Sequence, residues 1–229
     1  MSEQQLNEKK AAGEAAAAYV EDGMTVGLGT GSTVRYTTEK LAERMKEEGL
    51  RIQGVPTSRA TRELAEKLGI PLVSLDQVEV VDVTIDGADE IDGDLNGIKG
   101  GGGALLLEKI VASASRRNIW VGDSKKWVDQ LGEFPLPVEV IPFSFPVVFR
   151  KLQQKGMNPI VRKNGEDRFL TDSGNWIVDL HLGAIEDPQE LEIWLNLLPG
   201  VVENGLFLQR ADLALISQDG TIRTYERPE

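Results

Sequence analysis

The chain has 229 residues, enough for one large α/β domain or for a larger and a smaller one, with a core that needs no covalent staples. It has no cysteine, which excludes disulfides, thiolate nucleophiles and Cys-ligated metal sites. Thirty-seven acidic against 25 basic residues give a net charge of −12, which argues against nucleic acid as a partner but not against a small phosphorylated substrate in a cleft. Residues 1–10 are charged and lack the apolar segment of a secretory signal. No apolar run approaches the roughly 18 residues of a membrane span. A cytoplasmic protein without a membrane partner is expected.

In chain order, residues 11–20 are Ala-rich and read as helix, 24–28 as strand, and 33–48 as an amphipathic helix ending at Gly49. A strand over 51–55 leads to a helix over 59–68 closed by Gly69. Strands follow at 71–75 and 80–85, then a helix at 105–114 and a strand at 118–121. This alternation predicts an α/β fold, a doubly wound Rossmann-like parallel sheet with helices on both faces. The Pro-rich joint 132–137 ends it. Strand 138–141, helix 147–155, strands 159–162 and 176–182, helix 188–198 and strand 201–208 then give the split βαββαβ order of a smaller α+β, ferredoxin-like domain. The tail, strands 211–216 and 221–225 about Asp219-Gly220, is expected to return to the first domain. The domains are therefore 1–131 plus 209–229, and 132–208.

The turns carry the chemistry. Gly27-Leu-Gly-Thr-Gly-Ser-Thr33 joins a strand to a helix, where glycines admit an anion to free N–H groups. Ser32 and Thr33 can cap that helix or donate to phosphate. No lysine precedes them, so this is no Walker loop, and the next strand ends without the acidic residue of a dinucleotide fingerprint. Thr57-Ser-Arg-Ala-Thr61 opens the following helix with hydroxyls, as a plain cap would. Asp86-Gly-Ala-Asp-Glu90 places three carboxylates at the C-terminal edge of a strand, where they can bind sugar hydroxyls, hold magnesium or move protons. Four glycines, 100–103, open the next helix, a costly choice that close approach to a ligand explains. Lys99 sets a cation beside the carboxylates, where a metal would otherwise be wanted.

Glu108 has only apolar neighbours at helical spacing and no cation four residues away. Burial is expected to raise its pKa into the range of a general base. Val121-Gly-Asp-Ser-Lys-Lys126 adds two lysines at another strand end. The single histidine, His181, lies inside a predicted strand of the second domain, so a catalytic triad or His-ligated metal is not expected. Carboxylates must then move protons, with Lys99 as electrophile. That inventory suits proton abstraction beside a carbonyl.

In order and spacing, the blocks 27–33, 57–61, 86–90, 99–108 and 134–140, with Gly200–Phe207, resemble type A ribose-5-phosphate isomerases along the whole chain. The resemblance implies an aldose–ketose isomerase that interconverts D-ribose 5-phosphate and D-ribulose 5-phosphate through an enediolate, in the non-oxidative pentose phosphate pathway. It implies that Glu108 is the proton acceptor and that Asp86, Asp89 and Lys99 assist ring opening and bind substrate hydroxyls. Thr30, Gly31, Ser32, Thr33, Gly87, Ala88, Gly100, Gly101, Gly102 and Lys126 would line the substrate site. Either Lys125 or Lys126 fits the ligand-binding lysine, and the distance to the Pro-rich joint favours Lys126. No metal or organic cofactor is implied. A homodimer or homotetramer is, with the second domain contributing to the contact. The rival readings are a related amino-sugar-phosphate isomerase or CoA transferase, and a sugar-phosphate sensor without turnover.

Overall fold

A computed structural model describes residues 2–227. Helix α1 (Glu3–Ala16) begins well before the Ala-rich stretch. The Ser2 hydroxyl accepts the Gln5 N–H, so a capped, polar first turn extends the helix where apolar periodicity gives no signal. Strand β1 (Thr25–Leu28), α2 (Val34–Glu47), β2 (Gln53–Pro56) and α3 (Arg59–Leu68) follow. Ser58 caps α3 at the Thr61 N–H, and Gly69 closes it at φ +78°, a left-handed conformation that favours glycine. Residues 71–75 do not form the predicted strand. Leu72 makes only an isolated bridge to Gly54, and Leu75–Gln77 is a 3₁₀ turn whose Gln77 Oε1 accepts the Ser74 N–H at 3.0 Å.

Next come β3 (Val83–Gly87), β4 (Glu90–Ile91), β5 (Gly97–Ile98), α4 (Leu105–Ser113) and β6 (Asn118–Asp123). The chain then crosses into β7 (Leu136–Val140), α5 (Phe145–Gln154), β8 (Pro159–Val161), β9 (Lys163–Asn164), β10 (Asp167–Arg168), β11 (Trp176–Leu180), α6 (Pro188–Asn196), β12 (Val201–Asn204) and β13 (Leu206–Phe207). It returns as β14 (Leu213–Gln218) and β15 (Thr221–Glu226).

The main sheet has the order β15-β14-β6-β3-β1-β2, parallel except for β15. From β1 the chain goes first to β2 on one side and then to β3 on the other. The loops after β1 and β3 therefore part, leaving the crevice where doubly wound sheets bind ligands. The second sheet, β12-β7-β11-β8, is antiparallel throughout, which is the ferredoxin-like order. The predicted strand 201–208 breaks at Gly205, where a Cβ would lie 2.4 Å from the Lys99 carbonyl oxygen. Beyond the break, β13 pairs with β5, which pairs with β4, in a small sheet between the two larger ones. Ile91, Leu105, Trp120, Ile177 and Phe207 pack in one buried cluster that joins both units. His181 lies just past β11 and is exposed rather than inside the strand. Among the described residues no helix is long and apolar enough to cross a membrane.

Candidate active site

The C-terminal ends of β1 and β3 set the first contacts. Asp86 Oδ1 accepts the Thr30 N–H at 3.0 Å and the Gly87 N–H at 2.8 Å. Gly29 makes this approach possible, because a Cβ there would sit 2.3 Å from Asp86 Oδ1. Lys99, just past β5, is anchored by its N–H on the Gly205 carbonyl, and its ammonium donates to the Gly87 carbonyl. That ammonium lies 3.0 Å from Asp86 Oδ2 and 3.4 Å from Glu108 Oε2, with all three side chains buried. The Glu108 Oε2 atom has no hydrogen-bond partner, although it is shielded from solvent. Helix α4 holds Glu108 in its first turn through the Glu108 N–H bond to the Ala104 carbonyl.

Lys99 and Glu108 line a cavity of about 110 Å³ bounded by Thr30–Val34, Gly87–Asp89 and Lys99–Gly102, together with Lys9 and Lys126. Asp86, expected at this wall, is buried behind it with its oxygens taken by Thr30, Gly87 and Lys99. A wider hollow of about 660 Å³ on the far side of the Gly29–Ser32 loop holds neither Lys99 nor Glu108, and we assign no chemistry to it. Asp89 Oδ2 accepts the Gly101 N–H at 2.7 Å, and the Lys126 ammonium lies 3.3 Å from the Asp89 carbonyl oxygen. Of the two candidate lysines, Lys126 lines the cavity and Lys125 is exposed.

Several sequence expectations need correction. Glu90 does not join the other two carboxylates. It is buried facing the Pro-rich joint and accepts the N–H groups of Gly132 and Phe134, because the chain leaves β3 at Gly87 and Glu90 belongs to β4 of another sheet. Thr33 caps α2 by position but makes no side-chain capping bond, and Ser32 Oγ instead meets the Lys9 ammonium at 3.0 Å. The 57–61 block stands behind the cavity, where Thr57 and Ser58 hydroxyls bond Thr30 Oγ1 at 2.7 and 2.8 Å and so fix the first loop. Arg59 turns away, 3.7 Å from Asp172.

Lys9 was not singled out from the sequence. A faint signal existed in Gly13, one turn further along the same helix. A Cβ at Gly13 would meet the Thr33 carbonyl oxygen at 2.5 Å, so that glycine marks the close approach of α1 to the loop.

Burial pushes the Glu108 carboxyl up to about 8, against the pull of the Lys99 ammonium. Burial also raises Asp86, again opposed by Lys99. For Lys99 burial acts downward, but Asp86 and Glu108 outweigh it and keep the ammonium charged. A carboxyl that titrates near neutrality beside a fixed cation can take a proton from carbon while the cation faces the oxyanion that results.

A doubly wound sheet with such a cluster at its switch point is the arrangement of an α/β enzyme that moves protons on a small polar molecule. The family model described as ribose 5-phosphate isomerase A (phosphoriboisomerase A) matches residues 53–220. A relative named ribose-5-phosphate isomerase A from Streptococcus gordonii is 50% identical over 220 residues, covering 96% of this chain and 98% of its own. Ribose 5-phosphate isomerase from Plasmodium falciparum superposes with a TM-score of 0.94 at 39% identity, over 98% of this chain and 100% of that one. A D-ribose-5-phosphate isomerase solved in complex with phospho-erythronic acid gives 0.93 at 40% identity, over 96% and 98%. The chain belongs to the ribose 5-phosphate isomerase A family.

Proposed function

We propose that the chain interconverts D-ribose 5-phosphate and D-ribulose 5-phosphate, in the non-oxidative pentose phosphate pathway of the cytoplasm. The observation that carries this reading is Glu108, a buried carboxylate at the cavity wall whose shielded Oε2 makes no hydrogen bond and has the Lys99 ammonium 3.4 Å away. In the open-chain aldose, Glu108 takes the C2 proton and returns it to C1. The Lys99 ammonium balances the charge on the enediolate oxygens. Asp89 binds hydroxyls and assists ring opening, and Asp86 assists from behind the wall by holding the Lys99 ammonium. The phosphate rests on the N–H groups at the start of α2, with Ser32, Lys9 and Lys126 around it. This mechanism calls for no metal or organic cofactor. A phosphorylated sugar acid bound to a 40% identical relative supports the substrate class.

Residues 1–131 with 209–229 form the catalytic unit and 132–208 the accessory one. Phe143 and Leu197 of the accessory unit are exposed large apolar side chains, which supports a homodimer or homotetramer.

The test is proton NMR of ribose 5-phosphate with pure enzyme in deuterated water containing EDTA. Ribulose 5-phosphate with deuterium at the exchanged carbon is expected. Glu108→Gln should bind substrate and lose most turnover, about 10²–10⁴-fold for a removed general base. Activity abolished by EDTA and restored by magnesium, or a Glu108→Gln rate near wild type, refutes the assignment.

A further inference from the structure

We propose that Arg162, at the end of β8 in the antiparallel sheet, is a positioning residue that holds the Gly100–Gly102 loop against the substrate. Its Nη1 donates to the carbonyl oxygens of Gly100 at 2.8 Å and Gly101 at 3.0 Å. The other edge of the guanidinium pairs with both carboxylate oxygens of Asp179 on β11, Nε lying 2.9 Å from Oδ2. Both side chains are largely buried, at 13% and 17% exposure. The guanidinium also lies 5.8 Å from the centre of the Phe169 ring. That ring closes against Gly103, where a Cβ would fall 2.4 Å from it.

Peptide planarity gives this contact its consequence. In a trans peptide the carbonyl and the following N–H point in opposite directions. With the Gly100 carbonyl turned to Arg162, the Gly101 N–H is turned away from it and reaches Asp89 Oδ2 at 2.7 Å. With the Gly101 carbonyl turned likewise, the Gly102 N–H lies on the opposite side, where Gly102 lines the cavity. Four successive glycines cannot hold such an arrangement through their own side chains, and Gly100 sits at φ +105°. An external fork of donors supplies the restraint. A lysine cannot replace it, because a single ammonium does not span two carbonyls and a carboxylate in one plane. Arg162 touches neither Glu108 nor Lys99, so binding and proton transfer should separate.

The inference rests on the proposed function for its kinetic readout, and a binding readout keeps the two apart. Arg162→Met, Arg162→Lys and Asp179→Asn are compared with wild type by steady-state kinetics on ribose 5-phosphate across pH. Calorimetric titration with phospho-erythronic acid and thermal midpoints accompany the kinetics. KM and the phospho-erythronic acid Kd should rise at least about tenfold in both Arg162 variants, as expected on losing charge-assisted hydrogen bonds. Asp179→Asn should raise them less. The kcat should stay within about threefold and the pH limb near 8 should not move. Arg162→Lys keeps the charge and decides the matter if Arg162→Met does not fold. An unchanged Kd in a folded variant overturns the inference. So does a fall in kcat with a displaced pH limb, which would mean that Arg162 supports the whole site. Wild type that binds phospho-erythronic acid but does not isomerise refutes the proposed reaction, and the Kd comparison still tests Arg162.

Discussion

Replacing Glu108 by glutamine should stabilise the protein, and by an amount that grows with pH. The carboxyl is raised by burial from 4.5 to about 8. Between those two values the folded state holds a proton that the unfolded state has released. Stability therefore falls as pH rises through this window, and the loss is complete above the folded pKa. At about 1.4 kcal/mol per unit, the penalty reaches on the order of 3–5 kcal/mol once Glu108 is fully ionised. Glutamine fills the same volume and carries no charge, so it escapes the penalty. For a chain of this size about 2–4 °C accompanies each kcal/mol, which gives a rise in Tm of roughly 6–20 °C. Scanning calorimetry of both proteins between pH 5 and 9 measures it. The difference should be smallest at pH 5, widen through pH 6–8 and level off by pH 9. A difference under about 2 °C at every pH, or one of the opposite slope, would show that Glu108 is not held in an ionisation-averse site and would remove the reason for choosing it as base.

Two further outcomes are expected. The kcat/KM for ribose 5-phosphate should climb with pH and flatten above about 8, as the free enzyme's Glu108 loses its proton; a profile flat from pH 6 to 9 would assign proton transfer elsewhere. Lys9→Met should raise KM about tenfold with little change in kcat, and the effect should shrink at high salt, because the ammonium at 3.0 Å from Ser32 Oγ acts as a charge on the phosphate; an unchanged KM would make Lys9 a brace for Ser32 and nothing more.

Much of the architecture is readable before any coordinates, and particular residues show why. Helix α3 is found at its full length because a Ser58 cap and a left-handed Gly69 are local devices. The ferredoxin-like order is readable because each of its elements carries its own periodicity. The segment 71–75 misleads because it is apolar enough to pass for a strand, while only Leu72 finds a partner. Within the site, the groups clustered in sequence were visible: the 30–33 loop, Asp86, Asp89, Lys99, the glycines and Glu108. Lys9 and Arg162 were not, since Lys9 reaches the cavity and Arg162 the glycine loop from distant elements, and nothing beside either in the chain advertises the journey. Glu90 was misjudged for the converse reason. Proximity in sequence to two inward carboxylates says nothing about its own acceptor duties at Gly132 and Phe134.

Strand β14 has a consequence for how the protein is made. It lies in the interior of the main sheet, between β6 and β15, yet it is built from residues 213–218, after the whole second sheet. As the nascent chain emerges, β6 has β3 on one side and no neighbour on the other. Its exposed edge, with Ile119, Trp120 and Val121, remains a template for pairing with other chains until synthesis is almost finished. The second sheet, translated in that interval, can assemble in the meantime. Premature termination before residue 213 would thus release a chain that carries every proposed catalytic side chain and an open, sticky sheet, and such a product should be a substrate for chaperones and proteases rather than a sluggish enzyme.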